Sequence, residues 1–431
     1  MFDSSTPTSP RWAQWFLVIL FVATLYLPVL TTRWLDSPCL LMPEQRLARP
    51  FPSFPQKMSH WKRMPSELEN ALLDRIGFRC EALQVRLLWK YGLFGQLPSG
   101  LVVLGSNHWL YLDASHSIRP NWNEPLRQRI VQTNLDRLRQ RRDWLAARGI
   151  PLWVVLAPEK QTIHPESAPA RFLERWNEEI GTFNQELALN QLQPDKRFEL
   201  IDLRIFLSQI AQSGQCLAYR TDSHWNLLGM IHGLRPIVAR LRQIGDSSES
   251  ESSDSWVDLF QVDSTIPKEQ PFDLTRIAGL SEPWIRRTGL SRPFDEPFDS
   301  LIWNHPHTVN QVESSDSTIN HYRCKAASLR NRPRVVLLHD SFFTSATRLL
   351  AHECSEIIGV FQNEFPAKLI EEFKPDLVIQ ALSERWFLAL QSPQLLPPSS
   401  EPSQPDADAS GRLHPTWNLA RPFEESSPRL R

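Results

Sequence analysis

Cysteine is scarce, with five residues in 431: Cys39, Cys80, Cys216, Cys324 and Cys354. No two form a CxxC pair and none has a histidine at metal-ligand spacing, so a thiolate metal site finds no support. An odd number cannot pair completely, which argues against a disulfide framework and leaves room for one or two bridges in an exported chain. Glycine is sparse as well, 15 residues against 35 prolines, a balance that points to long connecting segments. Neither sign of charge is in surplus. Lys plus Arg is 47 and Asp plus Glu is 48, a net charge of -1, without the basic surplus that usually marks a nucleic-acid partner. Long apolar runs are missing too, with a single exception at the N-terminus.

That exception is Trp12 to Leu30 (WAQWFLVILFVATLYLPVL), which carries no charge. At about 1.5 Å per helical residue it just matches a hydrocarbon core roughly 30 Å thick, and predicts one N-terminal transmembrane helix. Trp12, Trp15 and Tyr26 suit the interfaces. A cleaved signal peptide is the alternative, but no A-x-A-like site follows. Arg11 and Arg33 flank the run almost symmetrically, so charge does not set its orientation. The rest of the chain is expected on one side of the membrane.

The remaining length allows two or three domains or one large one, and 41% hydrophobic residues suffice for a sizeable core. Residues 1–33 read as the anchor and 34–94 as a juxtamembrane connector with a helix. Residues 95–390 read as one catalytic domain and 391–431, rich in Pro and Ser, as a disordered tail. Within the domain, apolar runs of strand length (Pro151–Ala157, Phe198–Leu203, Arg334–Leu338, Glu356–Val360, Asp376–Gln380) alternate with helical patterns such as Glu124–Gly149 and Trp225–Ile244. That alternation predicts βαβ units and an α/β fold with a mainly parallel central sheet. Residues 245–332 begin with the acidic stretch DSSESESSDS, show little periodicity, and read as an irregular insertion or cover. Ligands on such sheets bind beyond the carboxyl ends of the strands, so functional residues should follow strands directly.

Two segments meet that requirement. His339-Asp340-Ser341-Phe342 follows the RVVLL strand and opens a helix, so the Ser341 hydroxyl stands at the sheet rim beside helix N-terminal N–H groups that can stabilise an oxyanion. Helix capping by Asp340 or Ser341 is the alternative. Arg220-Thr221-Asp222-Ser223-His224-Trp225-Asn226 precedes a helix. Asp222 can fold onto the His224 imidazole, fix its tautomer and leave the other nitrogen to accept a hydroxyl proton. Here too capping is the alternative. Together the segments supply nucleophile, base and orienting carboxylate, which are recognised by role and not by chain order.

Further landmarks stand in a familiar order. They are Glu44-Gln45-Arg46-Leu47-Ala48 with Pro50 and Pro52, Gly105 to Tyr111, Ala157-Pro158-Glu159-Lys160 with Pro165, Asp222-Ser223-His224-Trp225-Asn226 with Gly229, Phe272-Asp273-Leu274, Asp340-Ser341-Phe342, and Lys374-Pro375-Asp376 with Glu384-Arg385. Over roughly residues 44 to 390 the chain resembles the SGNH hydrolase-like domain of the alginate O-acetyltransferase family, the AlgJ/AlgX type, itself distantly similar to DltD-like proteins. Three positions depart from the pattern: His339 and His108 stand where the family has Gly, and Ser223 where it has Thr.

The resemblance implies a three-layer SGNH-hydrolase-like fold and a catalytic triad of Ser341, His224 and Asp222. Substrate-binding or oxyanion candidates are Phe342, Asp340, His339, Arg220, Trp225, Lys160 and Tyr111, with no metal ligands. It implies a membrane-anchored O-acetyltransferase that moves an acetyl group through a serine acyl-enzyme onto hydroxyls of an exported polysaccharide. No cofactor is expected beyond an acetyl donor supplied by a partner or a small acetyl ester. The expected partners are the polysaccharide, the membrane and a multi-pass membrane-bound O-acyltransferase. The expected location is the cytoplasmic membrane, with the catalytic domain on the periplasmic side. An acetylesterase with the same triad, or a non-catalytic glycan-binding or assembly subunit compatible with the 16 tryptophans, remain as alternatives.

Overall fold

The computed structural model describes residues 11–31, 49, 51–54, 58–74, 79–97, 100–113, 124–177, 198–244, 256–266, 272–281, 283–303, 308–312, 314, 316–325, 330–361 and 365–387. The strands among them are β1 (Val102–Leu104), β2 (Leu110–Leu112), β3 (Leu152–Ala157), β4 (Phe198–Asp202), β5 (Phe260–Ile266), β6 (Phe298–Trp303), β7 (Val309–Val312), β8 (Ile319–Cys324), β9 (Arg334–His339), β10 (Glu356–Phe361) and β11 (Leu377–Ser383). The chain divides into two compact units, one of residues 1–99 with 276–292 and one of residues 100–275 with 293–431.

The second unit is built on a seven-stranded sheet in the order β4-β3-β11-β9-β10-β8-β7. β4, β3, β11, β9 and β10 pair in parallel. All six residues of β3 and all seven of β11 are buried, as befits central parallel strands covered on both faces. Side chains alternate between two cores. Trp153, Val155, Val335, Leu337, Ile379 and Ala381 pack on one face with the helices Leu203–Gln212 and Leu227–Ile244. Leu152, Val154, Val336, Leu338 and Val378 pack on the other, against Leu135, Leu138 and Leu145 of the helix Glu124–Ala146 and Ile370 of the helix Ala367–Phe373. The α/β three-layer arrangement expected from the sequence is therefore present.

The sheet is mixed and not simply parallel. β8 runs antiparallel to β10, and β7 antiparallel to β8. Both come from the stretch that reads as irregular in the sequence, which also supplies the antiparallel pair β5–β6. Their sequences, INHYRC and VNQV, are only half-buried. An antiparallel edge needs one apolar face at most, and so leaves no apolar run to find. Residues 246–255 and the tail from 388 lie outside the described residues.

Helices make up the regular structure described in the first unit: Arg11–Thr31, Met58–Leu73, Arg79–Phe94 and Pro283–Thr288. The transmembrane helix expected at Trp12–Leu30 does not gain support. The segment is helical, but among the described residues no helix is long and apolar enough to cross a membrane. Polar side chains interrupt its apolar run. Gln14 lies near its start, and the Thr24 hydroxyl folds back to donate to the Leu20 carbonyl. Cys216, Cys324 and Cys354 are free thiols.

The parallel registers align Ser383 with Ala157, His339 with Ala381, and Leu156 with Asp202. The carboxyl ends of β3, β4, β9 and β11 therefore share one edge, from which the candidate residues emerge. Gly229, near the start of the helix Leu227–Ile244, lets that helix approach the backbone of Leu217, just before the loop that carries Asp222 and His224. A Cβ there would stand 2.1 Å from the Leu217 carbonyl oxygen. Gly92, in the helix Arg79–Phe94, has open space around it. Gly229→Ala should lower stability by about 1–3 kcal/mol through overpacking. Gly92→Ala should raise it by roughly 0.5–1 kcal/mol through helix propensity. Thermal melts of the two variants, read in opposite directions from the wild type, check both.

Candidate active site

Residues 219–224 form an irregular loop closed by a bridge between Ala218 and Trp225. Within it Asp222 Oδ1 accepts from the His224 backbone N–H at 3.0 Å and from His224 Nδ1 at 2.6 Å. A carboxylate can only accept, so Nδ1 carries the proton and Nε2 presents its lone pair. That nitrogen lies 2.8 Å from Ser341 Oγ. Ser341 follows β9 and opens a short 3-10 turn, Ser341–Phe343, capped by Asp340. Sequence alternatives are thus both realised: Asp340 is a cap, accepting from Phe342 N–H at 3.0 Å, while the serine hydroxyl faces the imidazole.

A third acidic residue joins them. Asp273 Oδ1 accepts from Ser223 N–H at 2.7 Å, its other oxygen accepts from the Ser223 hydroxyl, and its own N–H donates to Asp222 Oδ2 at 3.2 Å. Burial disfavours a charged His224. The adjacent Asp222 carboxylate and Asp273 outweigh it and raise the imidazole above its ordinary value. Burial, followed by the Asp222 charge, raises Asp273. Asp222, His224 and Asp273 offer three ligand-type atoms within 4.8 Å of one another. Each group is already engaged within the protein, so their chemistry is that of a hydrogen-bonded chain running from Asp273 to Ser341.

Residues 102–291 match the family model described as SGNH hydrolase-like domain, acetyltransferase AlgX. The resemblance read from the sequence holds there. No curated protein matches the chain. Among solved structures the chain is similar to Bacillus cereus PatB1 at 13% identity and a TM-score of 0.48, covering 66% of this chain and 96% of that one. It is also similar to the O-acetyltransferase domain of Pseudomonas putida AlgJ at 16% identity and 0.43, covering 68% and 94%. With Pseudomonas aeruginosa AlgX the values are 14% and 0.38, covering 68% and 63%.

Most of the remaining candidates lie beneath the Ser–His contact and are not open to a substrate. Lys160 is 3% exposed and its Nζ donates to three carbonyls, of Tyr219, Arg220 and Asp222. Burial lowers it to about 8. Tyr111 is fully buried, with its hydroxyl donating to the His164 carbonyl at 3.1 Å. Trp225 donates from Nε1 to the Phe342 carbonyl at 2.9 Å, tying the loop to the serine turn. The Phe342 ring packs against the His224 ring, centroids 5.0 Å apart. Asp340 also accepts from Ser383 N–H at 2.7 Å. His339, which stands where the family has Gly, is fully buried and bonds through Nδ1 to the Asp340 carbonyl at 2.8 Å. Burial pushes its pKa down. Arg220 alone is substantially exposed, its side chain 34% open and 3.8 Å from Glu296.

Sequence reasoning did not assign roles to Asp273, Glu296, Glu159, Glu384 or Arg385. Glu296 accepts from Arg220 N–H, Thr221 N–H and the Thr221 hydroxyl, pinning the loop from outside. Glu384 accepts from Glu159 N–H and Thr162 Oγ1 at 2.7 Å each, and burial raises it to about 7. A usable signal existed for one pair, since Glu159-Lys160 and Glu384-Arg385 each follow an apolar strand run.

The His224 shift gives a direct measurement. Its folded value lies above the unfolded value of about 6.5. The protonated form therefore stabilises the fold, a contribution complete below about pH 6.5 and lost as pH rises through the folded value. In Asp222→Asn the opposing burial is less balanced, and the midpoint should fall. Imidazole NMR titration of wild type and Asp222→Asn checks this, and an unmoved midpoint would contradict the pairing.

Proposed function

We propose that the chain is an O-acetyltransferase that carries an acetyl group on Ser341 to hydroxyls of an exported polysaccharide. The observation that supports it is the continuous bonding from Asp222 through His224 to Ser341, with distances of 2.6 and 2.8 Å. The family match over residues 102–291 favours acetyl transfer as the chemistry. In the first half-reaction Ser341 Oγ bonds to the acetyl carbonyl carbon while its proton passes to His224 Nε2. The donor's ester bond breaks, and that proton leaves with the donor oxygen. In the second half-reaction a sugar hydroxyl attacks the acetyl-serine and gives its proton to His224. Ser341 leaves as the alkoxide and recovers the proton from the imidazole. Asp222 holds the tautomer and stabilises the imidazolium throughout. The oxyanion donor within the turn is the Ser341 N–H, since Asp340 Oδ1 occupies that of Phe342.

On this reading no cofactor is needed beyond the acetyl donor, which a multi-pass membrane acyltransferase hands over. Attachment to the cytoplasmic membrane through residues 12–30, with the catalytic unit on the extracytoplasmic side, belongs to the same proposal. Trp12, Trp15, Phe16, Leu17, Ile19 and Phe21 are all more than half exposed on that helix, which favours an apolar surrounding. Full-length protein should stay in the pellet after carbonate extraction of membranes, and a variant lacking residues 1–33 should not.

The mechanism predicts non-additive losses. Where a triad acts as a unit, losing the nucleophile or the base alone costs about as much as losing all three members, roughly a million-fold. Ser341→Ala and His224→Ala should each abolish transfer of labelled acetyl to oligosaccharide, and the double variant should be no worse. Asp222→Asn should be milder, because the base remains while its orientation suffers. Labelled acetyl trapped on wild type should map to Ser341. Wild-type transfer by a folded Ser341→Ala protein would sink the reading. Release of free acetate with no acetylated sugar would turn it into an esterase.

A further inference from the structure

The loop that carries Asp222 and His224 has few ladder partners of its own, so its carbonyls need donors from elsewhere. Two buried cations supply donors, beside the Leu110 N–H on the Arg220 carbonyl at 2.8 Å. Lys160 Nζ donates to the carbonyls of Tyr219 at 3.0 Å, Arg220 at 3.0 Å and Asp222 at 2.6 Å. An ammonium has three protons, so all are used. Arg385 Nη2 donates to the Ser223 carbonyl at 3.3 Å. Both residues are less than 5% exposed, which leaves neither open to a substrate.

Both cations are also fixed to the sheet. Lys160 follows β3 and Arg385 follows β11, and these strands are parallel neighbours with Ala157 opposite Ser383. The acidic residues preceding them cross over. Glu159 Oε1 pairs with Arg385 Nε at 2.7 Å, and Glu384 accepts the Glu159 N–H at 2.7 Å. The Arg385 guanidinium lies 5.2 Å from the Phe342 ring centroid, and that ring packs against His224. One guanidinium thus touches the histidine loop and the serine turn together.

We propose that Lys160 and Arg385 are positioning residues, which grip the Asp222–His224 loop by its carbonyls and thereby set the alignment of His224 Nε2 on Ser341 Oγ. The proposal rests on Ser341 acting as the nucleophile. The charged groups around His224 are Asp222 on its own loop, Asp273 from the adjoining helix, Arg385 after β11, and Glu159 and Lys160 after β3. Arg385 is the cation that opposes imidazole protonation. Its removal should therefore displace the His224 midpoint upward as well as loosen the geometry.

The test is the pH dependence of Ser341 labelling by a fluorophosphonate in full-length protein, followed by intact mass, beside NMR titration of His224. Misplacement by about 1 Å can cost on the order of 100-fold in rate. Arg385→Met should label about 100-fold more slowly, with its midpoint moved to higher pH. Arg385→Lys keeps the charge but not the fork, and should hold the wild-type midpoint while recovering part of the rate. Lys160→Gln, with two donors for three carbonyls, should also label more slowly. A folded Arg385→Met fraction that labels at the wild-type rate with an unmoved midpoint would overturn the proposal and leave Arg385 a stability residue. Wild-type protein that does not label would instead remove the nucleophile reading. That outcome takes the premise of the positioning role with it.

Discussion

His224 Nε2 and Ser341 Oγ meet at 2.8 Å from segments 117 positions apart in the chain. Neither segment is held by long regular structure at the point of contact. The serine sits on a three-residue turn, and the histidine sits in a loop closed by a single bridge. The contact therefore depends on how the sheet edge fixes both. β9 delivers the serine turn, and β3 and β11, side by side, deliver the groups that hold the histidine loop. A parallel sheet suits this task because its strands all end on one edge, where loops of different sequence separation converge.

Holding the site this way places many charged groups out of water. Glu159, Lys160, Glu384 and Arg385 are each less than 5% exposed. Isolated buried charges are costly, and such pairs seldom add stability over apolar packing of similar size. Here nearly every member bonds to backbone as well as to another charge. Lys160 meets three carbonyls, Arg385 meets one, and Glu384 takes an N–H. What they provide is a defined loop conformation. A purely apolar underside would remove the Lys160 and Arg385 donors from the carbonyls of Tyr219, Arg220, Asp222 and Ser223 and loosen the hold on the loop.

The sequence made the parallel centre of the sheet legible because LWVVLA is a continuous apolar run and LVIQALS a mainly apolar one, both of strand length and bounded by proline or charge. The Asp-x-His and Asp-Ser-Phe segments were legible for a related reason: each stands beside a helix or strand end, where such residues carry either a cap or chemistry. β7 and β8 were hidden because a half-exposed antiparallel edge has no apolar run. Asp273 stood in a landmark segment, but its role was hidden because it is purely tertiary. Nothing local distinguishes an aspartate that opens a five-residue helix from one that also closes on Ser223. Lys160 and Tyr111 were read as substrate-binding or oxyanion candidates because they stand in segments that resemble the family's. Their protons go instead to buried carbonyls, which no sequence pattern announces.

His339 shows how a departure from a family pattern can be absorbed. A glycine there leaves the Asp340 carbonyl to its turn bond alone, the one from Phe343 N–H at 3.2 Å. The imidazole adds a second donor at 2.8 Å. The Asp340–Ser341 peptide is planar and trans, so fixing its C=O fixes the opposite direction of the Ser341 N–H. Asp340 Oδ1 accepts from Phe342 N–H and Oδ2 from Ser383 N–H. The Ser341 N–H is then the donor of this turn left for a developing oxyanion on the proposed mechanism. Because burial keeps His339 neutral, its Nδ1 proton can be held on the carbonyl without bringing a second positive charge beside His224. The substitution adds a bond behind the Ser341 turn while leaving the electrostatics of the Asp222–His224 pair to Asp273 and Arg385.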